Sequence, residues 1–147
     1  ILDIPKTMEY LETHGVPVIG YKTKAMPAFY SRESECLVDY SCENTRQIAE
    51  ILKVKWDIPL MGGMVVANPI PEEYSIDSSK IANVINNALK EMKLKKITGK
   101  RTTPFLLSKV AEKTGGDSLE ANIQLVLNNA RLAAKIASDY NDLNLAK

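Results

Sequence analysis

The sequence has few of the residues that build covalent or metal-bound frameworks, with two cysteines, one histidine and one tryptophan in 147 residues. Five residues separate Cys36 from Cys42, there is no second cysteine pair, and His14 is remote from both. A structural zinc site needs a full set of such ligands, so neither a zinc site nor a disulfide framework is expected. Two reduced thiols are typical of a cytosolic protein, and we therefore expect a cytoplasmic location.

The sequence also lacks long apolar runs and an excess of charge of either sign. No apolar stretch is long enough to cross a bilayer, and no basic segment followed by an apolar one is visible, so neither a membrane span nor a signal peptide is expected. The net charge of +1 gives no bulk electrostatic attraction to nucleic acid. We therefore expect neither a membrane nor a nucleic acid as partner. With 45% hydrophobic and 25% charged residues, the composition suits one modest globular domain.

Hydrophobic periodicity predicts helices interleaved with strands. Two continuous apolar runs, at 16–21 and 62–69, predict parallel strands buried on both faces, and 37–40 predicts a short edge strand. A long irregular stretch at 22–35 follows the first strand, and the residues from 141 onward are expected to fray. Helical spacing predicts five helices, at about 5–14, 43–56, 77–92, 104–114 and 118–142.

Polar residues are predicted to cap the second and the fourth of these helices. Asn44 or Ser41 precedes the second helix. Thr102 or Thr103 precedes the fourth, with Pro104 at its first position, where a missing N–H costs nothing.

The order of elements predicts an α/β fold with a partial sheet and a helical C-terminal part. Only two buried strands are convincing, fewer than the roughly five or six of an average sheet. The chain also opens at Ile1 without a methionine, in what looks like the middle of an element. We expect that it continues a longer chain, and that partner strands lie outside this segment.

The stretch 114–124 is the most informative candidate site. Gly115 and Gly116 precede the last predicted helix, and Asn122 lies in its first turns. A helix start exposes unpaired N–H groups and a partial positive charge, which suit a phosphate, a carboxylate or a polar ring. An ordinary helix start capped by Asp117 or Ser118 explains the same residues, and the residues alone favour that interpretation.

Other polar residues follow the predicted strands, where open α/β sheets bind ligands. Asn68 ends the second strand and could bind a ligand, although Asn-Pro is more often the start of a turn. Lys22 and Lys24 follow the first strand and could hold a phosphate, although surface lysines are usually just solvated. The adjacent amides at 128–129 are poor helix formers, and a polar contact to another helix or a loop explains them best.

Several blocks of the sequence closely resemble the C-terminal half of the pseudouridine-5′-phosphate glycosidases, also called the indigoidine synthase A-like family. They occur in the family order and cover nearly the whole chain, which makes the set far more specific than any one block. The blocks are Gly15-Val16-Pro17-Val18-Ile19-Gly20-Tyr21, Pro27-Ala28-Phe29-Tyr30-Ser31-Arg32, 66–74, Thr103-Pro104-Phe105-Leu106-Leu107, Thr114-Gly115-Gly116-Asp117-Ser118-Leu119 and 122–130.

The resemblance implies a trimeric three-layer α/β/α enzyme, of which residues 1–147 are the C-terminal half of a single domain. It implies reversible cleavage of the C–C glycosidic bond of pseudouridine 5′-phosphate, which gives uracil and ribose 5-phosphate. A lysine amine would form an imine with the ring-opened sugar, and a carboxylic acid would transfer the proton. It further implies a divalent metal, typically manganese. The family's lysine, metal-linked aspartate and proton-donating glutamate all correspond to positions before Ile1, so no catalytic residue or metal ligand is expected in this segment.

The substrate contacts that the resemblance implies for this segment are few. Asn122 maps onto a family contact and would hydrogen-bond the nucleotide near its pyrimidine. Thr103 and Asn68 are further substrate-binding candidates from their positions. The expected partners are the N-terminal half of the same enzyme, further copies in a homotrimer and a small nucleotide. Two alternatives remain open, a non-catalytic module that binds a sugar phosphate or nucleotide, and a purely structural subunit.

Overall fold

A computed structural model describes residues 3–145. Ile1 and Leu2, where the sequence predicts the exit of a strand or the entry of a helix, lie outside the described residues. The elements in chain order are α1 Ile4–Thr13, β1 Val18–Tyr21, β2 Tyr40–Cys42, α2 Thr45–Asp57, β3 Val65–Ala67, α3 Ser78–Leu94, α4 Thr102–Lys113 and α5 Asp117–Leu145, with short 3-10 turns at Glu72–Tyr74 and Gly99–Arg101. No helix within 3–145 has the length and apolar character needed to cross a bilayer.

Within the described residues, the three strands form one parallel sheet in the order β2-β1-β3. Ile19 in the central strand lies opposite Tyr40 on one side and Val66 on the other. The parallel sheet and the helices that pack against it confirm the predicted α/β class. The sheet has three strands among the described residues, fewer than the roughly five or six of an average sheet, which agrees with the predicted partial sheet.

The predicted bounds of the edge strand, 37–40, are wrong. Leu37 forms only an isolated antiparallel bridge with Ala25 and is 71% exposed, and the strand runs from Tyr40 to Cys42 instead. Asp39 is the reason, because its carboxylate accepts a hydrogen bond from the Val18 N–H at 2.7 Å and its own N–H donates to the Val18 carbonyl at 2.9 Å. This clamp sets where the ladder begins, so the apolar residues before it do not pair with β1.

The second predicted strand, 62–69, is shorter and less buried than expected. Only Val65–Ala67 is in the ladder, and Gly62 and Gly63 are exposed before it. Val65 and Val66 are half-buried, because β3 has no neighbour on its outer side among the described residues. The prediction of a strand covered on both faces is therefore wrong for this part of the fold.

The described residues contain two clusters of buried side chains, and α5 runs through both. The first joins the sheet to α2 and to the C-terminal half of α5, through Ile19, Cys42, Ile48, Leu132 and Ile136. The second joins the 29–31 loop and the start of α5 to α3 and α4, through Tyr30, Ile70, Ile81, Val110 and Ala121. A single 29-residue helix therefore connects the sheet to the helical part.

Helix ends follow the predictions in part. Asn44 caps α2, its side chain accepting from the Gln47 N–H, as predicted. α4 starts at Thr102 with Arg101 as its cap and no capping side chain, so Pro104 is at the third position rather than the first. The position is still tolerated because the first-turn N–H groups have no partner within the helix. α5 continues to Leu145 instead of fraying from 141, and Ala146 and Lys147 lie outside the described residues.

The two cysteines are free and differ in exposure. Cys42 is 0% exposed in the sheet cluster, and burial raises the pKa of its thiol, with a smaller contribution from Glu43. Because the thiolate is the reactive form, both burial and the raised pKa slow its alkylation. We expect iodoacetamide at pH 8 to label half-buried Cys36 in the folded protein and to label Cys42 only after urea is added, as measured by peptide mass spectrometry. Equal labelling of both cysteines without urea would contradict this placement of Cys42.

Candidate functional site

A polar pocket of about 270 Å³ lies at the carboxyl ends of the parallel strands. Lys22 follows β1, Glu43 follows β2, and Lys24, Arg32 and Glu33 come from the loop after β1; all five line the pocket. Three cations and two carboxylates leave it with a small excess of positive charge. Lys22 and Lys24 are exposed, and the alternative that they hold a phosphate stays a prediction.

The loop after β3 is anchored by side chains from distant parts of the chain. Asn68 Nδ2 donates to Asn129 Oδ1 at 2.9 Å, and Asn128 Nδ2 donates to the Pro69 carbonyl at 3.1 Å. The next carbonyl, that of Ile70, accepts from Arg32 Nη1 at 2.5 Å. The paired amides of α5 thus make the polar contact to a loop that the sequence predicts for them.

The glycine pair before α5 has the backbone that only glycine adopts without strain, with φ of +64° at Gly115 and +100° at Gly116. The predicted caps are wrong, because α5 begins at Asp117 itself and the Ser118 N–H donates to Thr114 Oγ1 at 3.3 Å. Thr114 thus supplies the capping side chain from three residues ahead of the helix. Asp117 donates its N–H to the Thr114 carbonyl at 3.2 Å, so the turn closes on itself.

Asn122 lies in the second turn of α5 and is half-buried. Its amide makes no hydrogen bond to any side chain or backbone group that the structure describes, so both its donor and its acceptor remain free. Asn129 follows seven residues later and therefore lies on the same face of the helix, two turns or about 10 Å along the axis. The helix thus sets a fixed spacing between Asn122 and the Asn68–Asn129 pair.

Thr103 is the third sequence-predicted site residue. It is exposed in the first turn of α4, and its hydroxyl makes no hydrogen bond within residues 3–145. No hydrogen bond among the described residues joins it to Asn68 or Asn122. Its role in binding therefore stays a prediction, as do those of Asn68 and Asn122.

The partners of Arg32 and Asn129 could not be identified from the sequence. The partner of Arg32 is a backbone carbonyl, for which no sequence signal exists. For Asn129 a signal did exist, because adjacent asparagines inside a long helix are unfavourable without a partner. The partner itself, Asn68, lies 61 positions away and could not be found from spacing.

An apolar groove of about 560 Å³ lies beside β3, between α2 and α5. Asn68 and Asn129 are among the polar groups on its wall. The hydrophobic side chains that line it include Leu52, Trp56, Val66, Leu132, Ile136 and Tyr140. A second apolar stripe on α5, next to Asn122, is exposed and consists of Leu119, Ile123, Val126 and Leu127. This face of the fold is therefore uncovered among the described residues.

No group of three histidine, cysteine, aspartate or glutamate side chains in the described part of the chain is placed to hold a metal ion. Divalent metals need several such ligands converging on one point. The residues at 3–145 therefore do not themselves form a site for the divalent metal, whose ligands the resemblance assigns to positions before Ile1.

A model of the family described as "Indigoidine synthase A like protein" matches residues 1–139. The chain belongs to this family. Two curated relatives, both named pseudouridine-5′-phosphate glycosidase, confirm the resemblance. The protein from Hahella chejuensis is 59% identical over 140 residues, covering 95% of this chain and 46% of the relative. The protein from Petrotoga mobilis is 56% identical over 144 residues, covering 98% of this chain and 47% of the relative.

Solved structures place the indigoidine synthase A-like chain in the same fold. The crystal structure of the prealnumycin C-glycosynthase AlnA in complex with ribulose 5-phosphate matches all of this chain and 48% of its own, with a TM-score of 0.92 and 30% identity. An indigoidine synthase A-like protein from Thermotoga maritima matches 93% of this chain and 45% of its own, with a TM-score of 0.82 and 38% identity. The indigoidine synthase A-like chain thus spans about half the length of the relatives it matches.

Proposed function

We propose that this chain is the C-terminal half of a pseudouridine-5′-phosphate glycosidase, which reversibly cleaves the C–C glycosidic bond to give uracil and ribose 5-phosphate. The observation that carries the proposal is identity of 56% to 59% over nearly the whole chain to proteins of that name. The structural neighbour AlnA, a C-glycosynthase in complex with a pentulose 5-phosphate by its description, supports chemistry on the same type of bond.

The division of labour between the halves follows from what this chain carries. Cleaving a C–C bond requires an electron sink, which a lysine imine of the ring-opened sugar provides. We assign that lysine to the N-terminal half of the enzyme, which we call the front half. We assign to the same half the carboxylic acid for proton transfer and the ligands of a divalent metal, manganese by resemblance. This half supplies walls of the pocket and the free amide of Asn122 for the nucleotide, with Asn68 and Thr103 as further contacts.

The partner of this chain, in the proposal, is the front half of the same enzyme. β3 leaves its outer edge unpaired among the described residues, and an unpaired edge readily takes another strand. The groove beside β3 and the exposed stripe on α5 add an apolar surface next to that edge. We propose that the front half covers this surface, that the complete enzyme is a homotrimer and that it works in the cytoplasm.

The experiment that tests the proposal joins the front half of the Hahella chejuensis relative to residues 1–147 of this chain. We refer to this protein as the chimera. Uracil release from pseudouridine 5′-phosphate is expected from the chimera, and from the two halves after mixing, but from neither half alone. A folded chimera that binds the nucleotide without cleaving it would favour the binding-module alternative. Full activity of residues 1–147 alone would contradict the proposed division of labour.

A further inference from the structure

Three consecutive residues of the loop after β3 are each held by a side chain from a distant part of the chain. Asn68 is bound to Asn129, the Pro69 carbonyl to Asn128 and the Ile70 carbonyl to Arg32. The partners lie 61, 59 and 38 positions away. Loops at the carboxyl ends of parallel strands contact ligands in open α/β sheets. The loop after β3 is thus at the ligand-binding edge of the sheet and is held at each of these three residues.

The bond between Asn68 and Asn129 does more to orient an amide than to stabilise the fold. Asn129 is exposed and Asn68 is half-buried, and water competes for hydrogen bonds at such positions. In this arrangement Asn68 Nδ2 donates to Asn129 Oδ1, which leaves Asn68 Oδ1 as a free acceptor and Asn129 Nδ2 as a free donor. An unheld asparagine side chain would rotate freely, and the bond holds it in place while leaving one polar atom of each amide free.

Helix α5 also fixes the position of a second amide, that of Asn122, relative to the Asn68 amide. Asn122 and Asn129 lie on the same face of one continuous helix, about 10 Å apart along its axis. Because Asn129 holds Asn68, the helix sets the distance between Asn68 and Asn122 although the two residues are 54 positions apart in the sequence. Two amides at a fixed spacing are suited to one ligand with polar groups at both ends, such as a nucleotide.

We propose that Asn129 is a positioning residue, which holds the Asn68 amide in place so that the polar atom it leaves free forms a hydrogen bond with the bound nucleotide. This inference rests on the proposed function. Asn128 supports the same arrangement by holding the backbone carbonyl that follows Asn68. Asn129 itself acts through Asn68 rather than on the substrate.

A double-mutant cycle in the chimera tests the inference. We expect Asn68→Ala to raise KM for pseudouridine 5′-phosphate about tenfold and Asn129→Ala to raise it roughly fivefold, because each removes or disorders one hydrogen bond. The double variant is expected to be no worse than Asn68→Ala alone, since Asn129 has nothing left to orient. Thermal midpoints of all three should stay within about 2 °C of the unmodified chimera, because the pair is not buried. Asn87→Ala is the matched control, since Asn87 is exposed on α3 and makes no side-chain hydrogen bond that the structure describes.

The outcomes separate this inference from the proposed function. Activity of the unmodified chimera tests the function, whereas the cycle tests the role of Asn129. The inference would be overturned if the increase in KM of the double variant equalled the product of the two single increases. It would also be overturned if Asn129→Ala left KM unchanged, or if KM rose only in variants whose thermal midpoint fell. If the chimera binds the nucleotide without cleaving it, the same cycle is measured as dissociation constants by calorimetry. A folded chimera that neither binds nor cleaves would overturn both proposals.

Discussion

Replacing Asn122 with alanine in the chimera is expected to lower kcat/KM for pseudouridine 5′-phosphate by about 10- to 100-fold. The amide is half-buried and unpaired among the described residues, so both of its polar ends are available to the nucleotide. Loss of one or two hydrogen bonds in a partly desolvated site costs about 1.5–3 kcal/mol, and each 1.4 kcal/mol corresponds to roughly a factor of ten. Steady-state kinetics of uracil release measure the effect.

Asn87→Ala again serves as the control and should keep full activity, because it removes the same group from an exposed position on another helix. The thermal midpoint of Asn122→Ala should equal that of the unmodified chimera, since no internal partner is lost. An Asn122→Ala chimera with unchanged kcat/KM would show that this amide does not touch the substrate.

The substitution Gly20→Ala is expected to cause the largest loss of stability in the sheet. A Cβ on Gly20 would lie 2.1 Å from the Thr23 carbonyl oxygen and 3.0 Å from Val38 Cγ2. The Thr23 backbone has little room to retreat, because Thr23 Oγ1 donates to the Ala25 carbonyl at 2.8 Å and the Lys22 N–H donates to the Cys42 carbonyl at 2.8 Å. Overpacking of this kind costs about 1–3 kcal/mol or more.

In the chimera this cost should lower the thermal midpoint by about 2–12 °C, at roughly 2–4 °C per kcal/mol. Gly63→Ala is the matched control, since a Cβ there meets no atom within 4 Å and its φ is not in the left-handed region. Its midpoint should change by about 1 °C or less. Equal midpoints for Gly20→Ala and Gly63→Ala would show that the turn after β1 is not packed as described.

Long periodic segments of the fold could be predicted from the sequence. The apolar stripes of α2 and α3 and the run that forms β1 appear where periodicity predicts them, because burial of one face fixes both the element and its orientation. The edge strand β2 was misplaced because its register depends on a hydrogen bond between Asp39 and Val18. That contact spans 21 positions and has no local pattern.

Less of the candidate site than of the fold could be predicted from the sequence. Residue chemistry alone favoured an ordinary helix start for the stretch around Asn122, and only the resemblance to a family raised it to a substrate contact. The bond between Asn68 and Asn129 depends on how α5 crosses the end of the sheet, which no spacing in the sequence encodes. Local patterns therefore predict the elements, whereas the contacts between elements at the site require the fold.

Borohydride trapping gives the most direct test of the division of labour between the two halves. The chimera would be incubated with ribose 5-phosphate, reduced with borohydride and digested, and the modified peptide would be identified by mass spectrometry. The account predicts a single reduced adduct on a lysine of the front half. An adduct on Lys22, Lys24 or any other lysine of residues 1–147 would contradict it, because the reactive amine would then belong to this chain.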